Sequence, residues 1–158
     1  MRALVVYYTR TGHTRTVAEA IAKELQCDVE EIIDTEKRSG PAGFILSGRQ
    51  ATKKELTKIE LPKKDPAGYD VVIIGTPVWA LTMSTAVRTY IMEKKDRFKK
   101  VAFFLTFGGL GAEPTFRDLE ELCGKKPEAT LAVNTIAIKS DVYGDSVRQF
   151  SRGIKGTT

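Results

Sequence analysis

Apolar positions along this chain fall into two kinds of run that alternate from one end to the other. Ala3-Leu4-Val5-Val6-Tyr7-Tyr8 is continuously apolar, the pattern of a strand covered on both faces in a parallel sheet. Val17, Ala18, Ile21, Ala22 and Leu25 then recur at spacings of three and four, which predicts a helix over 14–25. A weaker strand is expected over 28–33. Phe44, Ile45 and Leu46 cluster within 43–50 and suggest a short helix or a packed loop inside a long connection. The clearest strand covers 69–75, introduced by Pro66-Ala67-Gly68 and ended by the turn signal Gly75-Thr76-Pro77. Ser84 is placed to cap a helix carrying Ala86, Val87, Tyr90 and Ile91, and Lys94 and Lys95 suit its negative C-terminal end. A further buried strand is expected over 101–105. Pro114 opens a helix with Phe116, Leu119, Leu122 and Cys123 facing inward, and 131–138 makes a fifth strand. Asp141 is expected to cap a last helix with Tyr143, Val147, Phe150 and Ile154 on one side.

Strict alternation of strands and helices implies an α/β fold with a mainly parallel sheet and right-handed crossovers. Five such units in 158 residues fit one three-layer, doubly wound domain over 1–158, with no repeat, linker or low-complexity stretch. Ligands of such sheets bind beyond the carboxyl ends of the strands, where strand order reverses. The loops after strands one, three and four are therefore the ones that carry chemistry.

Composition narrows the chemistry by exclusion. One histidine, His13, rules out a multi-histidine metal centre or a histidine-based triad spread over several such residues, and no metal site is expected. Cys27 and Cys123 lie far apart and in no metal-binding spacing, so both are expected to be core thiols. The longest apolar runs are a few residues long, which argues against membrane insertion. The first residues enter a strand too short for a signal peptide, which predicts a cytoplasmic address. The net charge of +5 is uneven: residues 37–64 hold eight basic and two acidic side chains, a local +6, which leaves −1 for the remainder. A basic segment of this kind is commonly a solvated surface and can also attract an acidic partner. With one phenylalanine and no recognition helix it offers no basis for nucleic-acid binding.

The first loop, Thr9-Arg10-Thr11-Gly12-His13-Thr14, combines three hydroxyls, a glycine that lets backbone approach closely, and an immediately following helix. Those are the neutral donors and free N–H groups that a phosphate needs. It matches neither the Walker nor the dinucleotide pattern, so a terminal phosphate monoester is expected rather than a pyrophosphate. The second loop, Gly75-Thr76-Pro77-Val78-Trp79-Ala80, displays the only tryptophan, a neighbour suited to a wide, flat, mostly apolar ring system. The third, Thr106-Phe107-Gly108-Gly109-Leu110-Gly111-Ala112-Glu113, is rich in glycines that let N–H groups reach a ligand edge.

Thr9-x-Thr11-Gly12-x-Thr14 directly after the first strand resembles the phosphate loop of flavodoxins, T/S-x-T-G-x-T, and Gly75-Thr76-Pro77-Val78-Trp79 resembles the tryptophan loop of many prokaryotic members. The resemblance implies a flavodoxin-like fold, a five-stranded parallel sheet of order 2-1-3-4-5 with helices on both faces. It also implies FMN as cofactor, with the phosphate held by the Thr9, Thr11 and Thr14 hydroxyls and by the N–H groups of Arg10, Gly12 and His13. The isoalloxazine ring would then lie against Thr76, Pro77, Val78, Trp79 and Ala80, with Thr106, Phe107, Gly108 and Gly109 at its pyrimidine edge. The family often places a tyrosine in the third loop. Here Leu110 is the only large apolar side chain beyond Phe107, which implies a more open outer ring face. No side chain is expected to be catalytic. The implied role is an electron carrier between redox partner proteins, a reductase donor and an acceptor, on whose docking rim Arg38 or Arg49 is expected. The alternative is an FMN-dependent NAD(P)H:quinone or nitro-compound reductase on the same scaffold. A signalling receiver is excluded, because the strand ends that would need acidic residues hold Thr9, Arg10, Thr76 and Pro77.

Overall fold

The structure, a computed structural model, describes residues 1–156. Five parallel strands form its sheet: β1 (Ala3–Tyr7), β2 (Asp28–Glu31), β3 (Val71–Trp79), β5 (Lys100–Phe107) and β6 (Thr130–Asn134), in the order β2-β1-β3-β5-β6. A sixth, two-residue strand, β4 (Thr82–Met83), folds back antiparallel on the end of β3. Counting only the parallel strands, this is the expected order 2-1-3-4-5.

Strand alternation splits the apolar residues into two cores. Leu4, Val6, Val72, Ile74, Val101 and Phe103 pack against α3 (Thr85–Lys94) and α4 (Ala112–Cys123). Ala3, Val5, Val71, Ile73, Ala102 and Phe104 pack against α1 (His13–Leu25) and α6 (Gly144–Lys155). The β1, β3 and β5 interiors are buried on both faces, which is why their sequences are continuous apolar runs. Ser84 caps α3 as expected, its hydroxyl accepting the Val87 N–H at 3.3 Å. Cys27 and Cys123 are free thiols, and burial pushes them up to about 11 and about 12.

The structure corrects several expected boundaries. The third strand does not stop at Gly75; it runs on to Trp79, so Gly75-Thr76-Pro77 is not a turn. Gly75 is required by packing, since a Cβ there would lie 1.9 Å from Cζ of Phe104. Pro77 is tolerated past the last β1 pair, Tyr7 with Gly75, where the strand has left that neighbour. The 131–138 strand ends at Asn134, whose side chain accepts the Ile136 N–H at 2.8 Å and starts the short helix α5 (Thr135–Lys139). Asp141 does not cap the last helix: it sits at φ 54° in the turn after α5, and α6 begins at Gly144. The 43–50 cluster belongs to a full helix, α2 (Gly40–Thr52).

The chain that follows α2 is tied to the segment after β2 and to the Glu30 side chain. Glu60 N–H bonds to the Ile33 carbonyl at 2.8 Å, and the buried Glu30 carboxylate accepts the N–H groups of Lys63 and Lys64 at 2.5 and 2.8 Å.

Candidate functional site

A cavity of about 280 Å³ opens at the carboxyl end of the sheet. From the first loop it takes Arg10, Thr11, His13 and Thr14, from the end of β3 Pro77, Val78, Trp79 and Ala80, and from the end of β5 Thr106, Phe107 and Gly108. Three sequence-distant loops thus converge because β1, β3 and β5 are adjacent and parallel, so their ends share one rim.

Gly12 is the residue before α1 and stands at φ 98°, a left-handed conformation that glycine adopts without strain. No side chain caps the start of α1, and no acidic residue lies in its first turn. The first N–H groups of the helix therefore keep their donor capacity and their positive field. Thr9 turns its hydroxyl inward, accepting the Gly12 N–H at 3.0 Å and closing the loop. The Thr14 hydroxyl is buried and pairs with that of Thr106 at 2.8 Å, which ties the first loop to the third. Thr11 is exposed, with its hydroxyl 3.5 Å from Nδ1 of His13.

Trp79 lines the same cavity. Tyr8 meets it edge-on, with centroids 5.4 Å apart and planes at 87°. Burial, reinforced by the Asp34 carboxylate, pushes the Tyr8 phenol up to about 12. The guanidinium of Arg38 lies 5.2 Å from the Trp79 ring centroid. Arg38 is only 5% exposed and its Nε donates to Asp34 at 2.7 Å, so the expectation of Arg38 on a docking rim is overturned. Arg49 is exposed, as are Lys37, Lys53, Lys54, Lys58 and Lys63 of the same basic segment.

Four expected residues are not in the cavity lining: Thr9 and Gly12, which shape the first loop, and Thr76 and Gly109. Thr76 is fully buried and its hydroxyl accepts the Ser84 N–H at 3.0 Å, joining β3 to the start of α3. Gly109 lies past the residues of β5 and its loop that reach the lining. Four lining residues escaped the sequence reading: Phe44, Ser47 and Gly48 from α2, and Thr135 from the start of α5. For α2 a signal existed. Gly43, Ser47 and Ala51 recur every four residues, a stripe of small side chains that lets a helix approach closely, and all three are buried. A Cβ at Gly43 would lie 2.1 Å from the carbonyl carbon of Arg38. The same helix shows Phe44 and Ile45 to solvent at 68% and 69% exposure, so Phe44 brings an aromatic ring to the cavity mouth.

A parallel sheet of this order with a phosphate-competent helix start and an aromatic wall defines the class of doubly wound mononucleotide-binding proteins. The flavodoxin family model matches residues 45–141, more than half of the chain. The chain belongs to the flavodoxin family. The matched stretch includes Trp79 and the end of β5 and begins after the Thr9–Thr14 loop, so that loop is independent of the match. Among solved structures the chain is similar to a putative flavoprotein from Bacteroides uniformis, with TM-score 0.81, 19% identity, and 96% of this chain and 97% of that one covered. It is also similar to a flavoprotein from Lactobacillus acidophilus in complex with FMN, with TM-score 0.73, 23% identity and coverage of 88% and 97%. Oxidised flavodoxin 2 from Bacillus cereus matches over 100% of both chains at 15% identity and TM-score 0.64. Among the described residues no helix is long and apolar enough to cross a membrane, and no cluster of side chains suits a metal ion.

Proposed function

We propose that this protein binds FMN in the cavity between the Thr9–Thr14 loop and Trp79 and carries electrons between redox partner proteins. The observation that carries the reading is the uncapped start of α1 facing a cavity walled by the only tryptophan. The residues fit the group. Thr11 and the N–H groups at the start of α1 would hold the phosphate, a terminal monoester with no lysine or pyrophosphate loop to receive more. Thr9 supports that grip through its bond to Gly12, and Thr14 supports it through Thr106. Pro77, Val78, Trp79 and Ala80 would flank the ring system, and Phe107 and Gly108 would border its edge.

FMN, when bound, supplies one- and two-electron chemistry. The protein binds, orients and shields it. The test is a titration of flavin-free protein with FMN and with riboflavin, followed by quenching of Trp79 emission. Tight FMN binding and weaker riboflavin binding are expected, because only FMN engages the α1 start. Absence of quenching by either would refute the reading.

A second reading, an NAD(P)H-dependent quinone or nitro-compound reductase on the same scaffold, is favoured by one observation. Leu110 is 80% exposed and no tyrosine occurs in that loop, which leaves room for a small acceptor. Rapid NADH oxidation with a quinone and no added reductase protein would select this reading over the carrier.

A further inference from the structure

Behind Trp79, on the side formed by residues 34–50, lies a polar knot that no step of electron carriage requires. The Arg38 side chain donates from Nε to Asp34 Oδ2 at 2.7 Å, from Nη1 to the Ser47 hydroxyl at 3.2 Å and from Nη2 to Gln50 Oε1 at 2.8 Å. Asp34 is equally occupied, its other oxygen accepting the Thr57 hydroxyl at 2.9 Å and the Glu36 N–H at 2.8 Å. Both side chains of the ion pair are 3% exposed. The Arg38 backbone is held too: its carbonyl accepts Nε of Arg10 at 2.9 Å, and α2 comes into direct contact with it at Gly43.

An ion pair buried this deeply gains little over an apolar pair of the same volume, because desolvation offsets the attraction. Its use lies in geometry. The fork of Arg38 joins the 34–38 turn to α2 and carries its Cζ over the Trp79 ring, 5.2 Å from the centroid. Trp79 needs such a hold, since it ends β3 just before Ala80 and Leu81, which turn the chain at φ 49° and 66°, and it is only partly buried.

We propose that Arg38 is the positioning residue for Trp79: its guanidinium, itself fixed by Asp34, Ser47 and Gln50, holds the indole in place together with the ring of Tyr8, so that the aromatic wall of the cofactor cavity is set before a flavin arrives. This rests on the flavin reading of the cavity. A wall set in advance spends no binding energy on ordering, so its loss weakens ring binding. Asp34 compensates the charge of Arg38, so the phosphate end is not what Arg38 serves.

The decisive variant is Arg38→Lys, which keeps a cation for Asp34 and removes the fork and the guanidinium over the indole. Gln50→Ala, which deletes one acceptor from the exposed side of the knot, serves if Arg38→Lys does not fold. In flavin-free protein the emission of Trp79 is expected to shift to longer wavelength and its anisotropy to fall. Affinities for FMN and riboflavin are expected to drop by the same factor, about tenfold, the scale of one desolvated cation–aromatic contact. In a Trp79→Phe background the Arg38→Lys effect on the emission-independent FMN affinity, measured by calorimetry, is expected to shrink below about twofold, as for residues acting through one another. Unchanged emission and anisotropy, a loss confined to FMN, or an equal loss in the Trp79→Phe background would each overturn the proposal. If the parent protein binds neither flavin, the cofactor reading falls, while the emission measurements still decide whether Arg38 fixes the indole.

Discussion

Two helices of this molecule start in the same way and meet different surroundings. Each follows a buried central strand, each is preceded by a left-handed glycine, Gly12 at φ 98° before α1 and Gly111 at φ 97° before α4, and neither has a side-chain cap. Four residues after each glycine a threonine hydroxyl bonds back to the glycine carbonyl, Thr16 at 3.0 Å and Thr115 at 2.7 Å. The surroundings differ. A Cβ placed on Gly12 would meet nothing within 4 Å, whereas one on Gly111 would lie 2.8 Å from Val78 Cγ1 and 3.1 Å from Cα of Leu81. The start of α4 is plugged by the β3–β4 hairpin and carries Glu113 in its first turn; the start of α1 is open and has no acidic residue there. A helix start becomes an anion site only where the fold leaves space and the sequence leaves the dipole unanswered.

The largest expected effect comes from the plugged start. Gly111→Ala combines the left-handed penalty with a clash against Val78, about 2–5 kcal/mol of stability read as a fall in the urea midpoint. Next is the wall beside the open start. The Tyr8 phenol rises from 10.0 to about 12 on folding, so its contribution is intact below pH 10 and is lost as pH climbs toward 12, on the order of 2–3 kcal/mol. A Tyr8→Phe variant should show a shallower loss over that window in alkaline unfolding.

Gly12→Ala bears only the conformational penalty, about 1–2 kcal/mol, because nothing crowds its Cβ. A methyl group beside the first N–H groups of α1 is expected to crowd a phosphate held there, so FMN affinity should fall about tenfold or more while riboflavin affinity changes little. Equal stability losses at Gly12 and Gly111 would erase the contrast between the two starts. The smallest effect on stability is a gain. His13→Glu answers the α1 dipole as Glu113 answers that of α4, adding about 0.3–1 kcal/mol to stability while repelling the FMN phosphate. A variant that is more thermostable yet selectively loses FMN over riboflavin would confirm that the unanswered dipole is functional.

Much of this contrast was readable in advance. Continuous apolar runs at 3–8, 71–74 and 101–105 signalled buried parallel strands, because a strand covered on both faces has no polar side to show. The threonines and glycine of residues 9–14 announced a helix start fit for an anion. Boundaries fared worse where one residue type serves two purposes. Gly75 resembles a turn glycine and is instead the gap into which Phe104 fits, and Ile136 and Ile138 resemble strand residues although Asn134 caps a helix there.

The chain alone determined the alternation of the main strands and helices and which loops follow the central strands, since periodicity and loop composition are local properties. Only the tertiary structure decided which glycine stands before empty space and that α2 supplies a wall of the cavity. It likewise decided that Arg38, nominally part of a basic surface segment, lies buried on the indole of Trp79. Those outcomes depend on what packs against a residue from distant parts of the chain, and no window of sequence contains that.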